Sequence, residues 1–159
     1  MKRIIIVVLL ITVVLGGCRK KSGILPKPDG DRLACSYEAT DGTKQEIELT
    51  YTGTEVLYAL STTEIEVEPE YAETTKKAMD LALGFFTRIR GLGVELSLNE
   101  NKTLLIMVMS IDLVNLDYKA LAKYSDGSVD KSDILNTFGE GKDVNTYRAE
   151  MEADGWTCR

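Results

Sequence analysis

Residues 33–67 read LACSYEATDGTKQEIELTYTGTEVLYALSTTEIEV, and this stretch sets the architecture of the whole chain. Apolar and polar residues alternate in three runs, which is the pattern of β-strands with one buried face. Asp41-Gly42 and Thr52-Gly53-Thr54 separate the runs, and both have the composition of tight hairpin turns. The stretch therefore predicts a meander of three antiparallel strands.

Two further strands follow in the sequence. Val94, Leu96 and Leu98 alternate with polar residues, and residues 103–112, TLLIMVMSID, are almost continuously apolar. A run of this kind is typical of a central strand that is covered on both faces. Residues 156–158 predict a short last strand beside the first one. The predicted antiparallel sheet therefore has about five to six strands.

The segments around these strands have helical patterns. Pro69 suits a first helical turn, and apolar residues from Met79 to Ile89 recur at helical spacing before Gly91. We therefore predict one long helix over residues 69–90, and short C-terminal helices at about 115–124, 130–138 and 143–154. The predicted fold class is α+β, with the sheet packed against the long helix.

The N-terminus has the pattern of a lipoprotein signal. Lys2 and Arg3 precede the apolar run Ile4 to Leu15, and Gly16-Gly17-Cys18 follows it. The run is shorter than the ~20 residues that span a bilayer. We predict a signal peptide at 1–17, lipid attachment at Cys18, a linker at 18–32 and a single domain at 33–159. An ordinary secreted protein with a chance cysteine is the alternative.

The net charge argues against nucleic acid as a partner. Removal of the signal leaves 17 basic against 25 acidic residues, a net charge of −8, whereas nucleic-acid binding needs clustered Lys and Arg. The chain contains no histidine, so the commonest metal ligand and general base is missing. We predict no nucleic-acid partner and no cofactor.

The chain has three cysteines, and the lipid accounts for one of them. If Cys18 carries the anchor, Cys35 and Cys158 remain as a pair in an extracytoplasmic setting. This favours a disulfide. A redox-active or metal-binding pair is the alternative, although no CxxC spacing supports it.

Carboxylates provide the strongest possibility of a metal or catalytic site. Glu64, Glu66 and Glu68 would share one face of a strand, and Asp112 ends the apolar run. One strand supplies too few ligands for calcium, which takes six to eight oxygens, so a solvated strand face is favoured. For Asp112 we predict hydrogen bonds to the backbone of the next turn. No metal ligand or catalytic residue is assigned.

Four motifs carry a family resemblance. They are the lipobox (the cleavage-site sequence Leu15-Gly16-Gly17-Cys18), LACSYE at 33–38, Ile111-Asp112-Leu113, and the ending DGWTCR at 154–159. Together they resemble the small YehR-like bacterial lipoproteins, in particular the Cys-paired forms of Gram-positive bacteria. The resemblance implies an α+β domain with an antiparallel sheet, held at the outer face of a membrane. It implies no activity and no catalytic residues.

We therefore predict an extracytoplasmic lipoprotein, anchored to the cell membrane through Cys18, that serves as a binding or interaction module of the cell envelope. Its binding surface would be the sheet face or a groove against the long helix, and its partner an envelope protein or small ligand. The pattern favours a protein that is not an enzyme. The alternative is a small metal-dependent or carboxylate-based hydrolase in which Glu64, Glu66 and Asp112 converge.

Overall fold

In the computed structural model, the residues whose conformation is described are 23–124, 131–132 and 143–159. They form an α+β fold in which helices pack on one face of a six-stranded antiparallel sheet. The predicted signal at 1–17, Cys18 and most of the predicted helix 130–138 lie outside the described residues.

The order of strands across the sheet is β4-β5-β3-β2-β1-β6. β1, β2 and β3 form the predicted meander. β5 pairs with both β3 and β4, which confirms the central position of the apolar run. Only two residues form β6. The strands are β1 Asp31–Glu38, β2 Lys44–Thr52, β3 Glu55–Glu66, β4 Leu92–Leu98, β5 Leu104–Asp112 and β6 Thr157–Cys158.

The prediction of one long helix over 69–90 is wrong. Within the described residues the helices are short: α1 Ala72–Leu83, a 3₁₀ turn Phe86–Arg88, α2 Tyr118–Tyr124 and α3 Val144–Ala153. None of the described helices is long and apolar enough to cross a membrane.

Local hydrogen bonds explain both ends of α1. Pro69 lies in a turn that the Tyr71 N–H closes by donating to the Glu68 carbonyl at 2.9 Å, so the helix begins only at Ala72. After Leu83 the helix ends at Gly84, a poor helix former. The chain then tightens into i→i+3 bonds, and this turn buries Phe86.

The core lies on one face of the sheet, which we call the inner face. Each helix adds a buried side chain to this core, namely Leu83, Leu121 and Tyr147. The described helices therefore leave the opposite, outer face uncovered. The strand residues of the core are Leu33, Cys35, Ile47, Leu49, Val56, Ala59, Leu92, Val94, Leu96, Leu105, Met107, Met109 and Ile111.

The expected disulfide is present and fastens the C-terminal edge. Cys35 of β1 and Cys158 of β6 are direct cross-strand partners and are joined through their sulfur atoms. Beside them the ring of Trp156 packs at 5.5 Å from that of Tyr37. The bond attaches the two-residue strand β6 to a sheet that it could hardly join by hydrogen bonds alone.

Candidate functional site

Among the residues that the structure describes, the outer face divides into a covered half and an open half. The open half, which we call the open face, contains the outward-pointing residues at the Glu38, Glu66 and Leu98 ends of the strands. Side chains alternate between the two faces along each strand, and the register places these residues opposite one another on neighbouring strands. They are Ser36, Glu38, Lys44, Glu46, Thr62, Glu64, Glu66, Glu95, Ser97, Leu104, Ile106 and Val108.

Residues 23–30, which we call the strap, cover the other half. The Leu25 N–H donates to Ser110 Oγ at 3.0 Å, and Tyr58 Oη donates to the Leu25 carbonyl at 3.0 Å. Lys27 Nζ lies 2.7 Å from Glu48 Oε1. Burial raises the pKa of the Tyr58 phenol, so this side chain remains a neutral donor at physiological pH. The sequence predicts a linker here, and the structure shows that part of it is docked.

An apolar stripe runs along β5 through the open face. Leu104, Ile106 and Val108 occupy alternate positions and are only half-buried, although a strand covered on both faces was predicted. The prediction therefore holds for the inner face and for Ser110, which lies under the strap, but not for these three positions, because the described helices pack on the inner face. Each side chain of the stripe retains apolar surface that a partner could cover.

Carboxylates border this stripe on both sides. Glu64 and Glu66 are the β3 partners of Ile106 and Leu104, while Glu95 on β4 is the partner of Val108. Among the described residues no ion pair neutralises these three carboxylates. The stripe and its border thus combine apolar surface with carboxylates that no ion pair of the described residues neutralises.

A polar depression of about 490 Å³ adjoins the stripe over β1, β2 and β3. Arg159 reaches its edge, with Nη2 at 3.9 Å from Glu46 Oε1, and Lys44 is the other cation in it. Three carboxylates outnumber these two cations. Its lining residues are Ser36, Tyr37, Glu38, Lys44, Gln45, Glu46, Thr62, Glu64, Gly155, Thr157 and Arg159.

The carboxylates singled out in the sequence do not converge. Glu64 and Glu66 share the outer face of β3, but β3 ends at Glu66, and Glu68 lies in the following turn. Asp112 pairs with Tyr58, whereas Glu64 pairs with Ile106. Six residues of β5 therefore separate Asp112 from Glu64, roughly 20 Å at the rise of a strand. Glu64, Glu66 and Asp112 therefore do not form the site that the hydrolase alternative requires.

Asp112 has the local role that the sequence predicts. Its Oδ1 accepts from the backbone N–H groups of Val114 and Asn115, both at 3.1 Å, and its Oδ2 accepts from Asn115 Nδ2 at 2.8 Å. These bonds close the turn after β5. Across the described parts of the chain, no group of three or more Cys, Asp or Glu residues could hold a metal ion.

A second depression, of about 520 Å³, lies on α1. Every lining residue belongs to α1 or directly precedes it, so this is not the predicted groove between a helix and the sheet. It is almost wholly apolar, and nothing in the described residues indicates an occupant. The lining residues are Tyr71, Thr74, Thr75, Ala78, Met79 and Ala82.

The stripe and the strap were missed by sequence reasoning. The charged alternation Glu64-Ile65-Glu66 was a usable signal for the stripe. It indicates that the outer face of β3 is solvated, and β5, which pairs with β3, shares that face. The strap has the Pro, Gly and charge of a linker, and no local pattern distinguishes a docked segment from a free one.

These features define a class: a small α+β domain whose described helices all pack on one face of an antiparallel sheet. Two structures determined by NMR share this fold. A protein from Streptococcus pneumoniae TIGR4 superposes with a TM-score of 0.63 at 18% identity, over 93% of this chain and 96% of that chain. The E. coli YehR protein superposes with a TM-score of 0.56 at 22% identity, over 82% of this chain and 91% of that chain.

At these identities the likeness shows the fold alone, and it is consistent with the YehR-like motifs of the sequence. No protein-family model matches the chain. No curated protein matches it either. The likeness brings no substrate, activity or partner to this protein.

Proposed function

We propose that this protein is a lipid-anchored binding module of the extracytoplasmic envelope, and that the open face is its binding surface. The lipobox ending in Cys18 supports the anchor, and the two acyl chains it would carry bind membranes far more strongly than one. The single observation that carries the binding role is the half-buried stripe of Leu104, Ile106 and Val108, on the face opposite to the one that the described helices cover.

The occupant that this face fits is a protein segment with apolar residues flanked by Lys or Arg. Its apolar side chains would cover the stripe. Its cations would face Glu64, Glu66 and Glu95, which have no ion-pair partner among the described residues. An acidic face disfavours anionic lipid as the occupant, since like charges repel. Charge complementarity thus selects a basic, amphipathic partner segment.

The test is site-specific photocrosslinking in cells. A photoreactive amino acid replaces Ser97, an exposed open-face residue beside Ile106, or Lys77, an exposed residue of α1. We expect a discrete adduct from position 97 that position 77 does not give, and a crosslinked segment that contains apolar residues with Lys or Arg. Adducts of equal abundance and identity at both positions would overturn the binding role.

Two pairs of variants test the chemistry of the contact. Ile106→Lys places a cation in the stripe and should abolish the adduct from position 97, while Ile106→Val should preserve it. Glu66→Lys should weaken the adduct severalfold, whereas Glu70→Lys, the same change at an exposed position outside the open face, should not. An adduct indifferent to Ile106→Lys and Glu66→Lys contradicts the assignment of this surface.

The anchor has its own test. Cys18→Ala should abolish incorporation of labelled fatty acid and release the protein from the membrane fraction. Cys35→Ala should leave labelling intact, because Cys35 lies buried in β1. Equal labelling of the wild type and Cys18→Ala would disprove the lipid anchor without touching the binding role of the open face.

A further inference from the structure

The strap follows a single row of residues across the sheet. Gly93, Ser110, Leu60 and Glu48 are successive cross-strand partners on β4, β5, β3 and β2. The strap touches this row at Gly93, Ser110 and Glu48, and it contacts Tyr58 one row away. It therefore crosses the strands from β4 towards β1, where the chain enters the sheet at Asp31.

The residues under the strap are suited to it. A Cβ atom built on Gly93 would lie 2.7 Å from the Gly23 carbonyl oxygen and 3.2 Å from the Leu25 nitrogen. Only glycine allows the strap backbone to approach β4 this closely. The Ser110 hydroxyl supplies the acceptor for the Leu25 N–H on the neighbouring strand. The contact is thus built from a steric fit, two hydrogen bonds and an ion pair.

Docking of the strap shortens the tether, the chain between Cys18 and the first residue held on the domain. The Cα atoms of Cys18 and Gly23 are joined by five peptide links, which span at most ~18 Å. Without docking, the free chain would run from Cys18 to Asp31, thirteen links and at most ~47 Å. The strap therefore leaves the domain less than half of the reach that its linker length suggests.

We propose that the strap orients the domain at the membrane, with the β4 edge of the sheet nearest the bilayer. This inference rests on the proposed lipid anchor at Cys18. The tether leaves the domain beside Gly93 on β4, so the β6 edge lies five strand spacings further out, roughly 24 Å. The strands then run along the membrane plane. The open face points sideways, towards neighbouring membrane proteins.

The single tryptophan provides the measurement. Trp156 precedes β6, so its ring is far from the bilayer in the proposed orientation. The lipidated full-length protein is reconstituted into phosphatidylcholine vesicles that contain a dansyl-labelled lipid, and energy transfer from Trp156 to dansyl is recorded. We expect low transfer for the wild type, together with slow hydrogen exchange at the Leu25 amide.

Strap variants should change both readouts. Lys27→Ala combined with Tyr58→Phe removes the ion pair and one hydrogen bond of the strap, and Gly93→Ala blocks its path. Both should accelerate exchange at Leu25 and raise the transfer at least twofold, since a freed domain rotates on its longer tether. Lys76→Ala removes an ion pair of equal length, 2.7 Å, from α1 and should change neither readout.

A flexible ten-residue Gly/Ser insertion between Ser22 and Gly23 separates docking from orientation. It should raise the transfer while the Leu25 amide stays protected. Fast hydrogen exchange at the Leu25 amide of the wild type would show that the strap is not docked on the sheet. The proposed orientation would be wrong if energy transfer stayed at the wild-type value both in the insertion variant and in the variants with fast Leu25 exchange. Absence of lipid on Cys18 overturns the proposed anchor, and the orientation with it.

Discussion

Cys35 and Cys158 face each other across β1 and β6, 123 positions apart in sequence, and their disulfide joins the two ends of the domain. The Ala34 and Arg159 backbones exchange hydrogen bonds of 3.1 and 2.8 Å next to it. These contacts hold Trp156 against the core and Arg159 at the edge of the polar depression. The disulfide therefore supports the β6 edge of the sheet, which lines the polar depression beside the candidate binding surface.

Loss of the disulfide should destabilise the domain. A closed loop of this length is worth ~4–5 kcal/mol of unfolding free energy in the chain-entropy account. Urea titration of Cys35→Ala combined with Cys158→Ala should show a loss of this order. Wild-type protein with reductant should behave like the double variant, and reductant should not affect the variant. A wild-type midpoint insensitive to complete reduction would contradict this role.

Gly91 and Gly53 both have a positive φ, 83° and 62°, but their surroundings differ, so Gly53 can serve as the control for Gly91. A Cβ at Gly91 would lie 2.5 Å from the Leu116 Cα, whereas nothing lies within 4 Å of one at Gly53. Gly53→Ala should cost only the left-handed backbone penalty, ~1–2 kcal/mol. Gly91→Ala should cost clearly more in the same thermal melts, because backbone must move. Equal costs would show that the turn before β4 adapts freely.

Tyr147 carries a buried hydroxyl without a hydrogen-bond partner among the described residues. Tyr147→Phe should raise the free energy of unfolding by ~1 kcal/mol at pH 7, since an unsatisfied buried group is removed. Tyr71→Phe, at an exposed tyrosine, is the control and should be neutral. Destabilisation by Tyr147→Phe would show that the hydroxyl has a partner.

The same residue predicts a pH dependence. Burial, with a smaller contribution from the Glu150 charge, raises the pKa of Tyr147. The folded state then holds this proton more tightly than the unfolded state, so its contribution to stability is complete below the unfolded pKa of about 10 and falls at higher pH. Between pH 9 and 11, unfolding titrations should show a steeper loss for the wild type than for Tyr147→Phe.

Asp112 allows a structural role to be separated from a metal-binding one. Asp112→Ala removes three hydrogen bonds of the turn and should cost ~1–2 kcal/mol, by analogy with loss of a helix cap. Asp112→Asn retains the Oδ1 acceptor and should cost less. Calcium should leave the melting midpoint of all three proteins unchanged. A calcium-dependent rise in the wild type alone would indicate a metal site at Asp112.

The local parts of the fold could be predicted from sequence. Strand periodicity, Asp41-Gly42 and Gly53 located β1, β2 and β3, because alternation and turn chemistry act over a few residues. The end of α1 was mispredicted because the apolar spacing continues through Phe86 and Ile89. Their burial is achieved by a 3₁₀ turn, and the spacing by itself does not distinguish that turn from an α-helix.

The candidate site was predictable only in part. The sequence indicated the exposed carboxylates Glu64 and Glu66, since charges on alternate positions mark a solvated strand face. It did not indicate that the β5 stripe is left open between them and Glu95. That arrangement depends on which face the helices cover, and this is decided by packing between segments far apart in sequence.

By itself the sequence determined the strands, their turns and the acidic balance, and it favoured the pairing of Cys35 with Cys158 on the expectation that Cys18 carries lipid. These depend on residue type and spacing. Only the tertiary structure decided that Asp112 and Glu64 lie roughly 20 Å apart, that the strap crosses the outer face, and that the described residues leave one half of this face open. Strand register and long-range contacts set these distances, and neither is encoded in any local pattern.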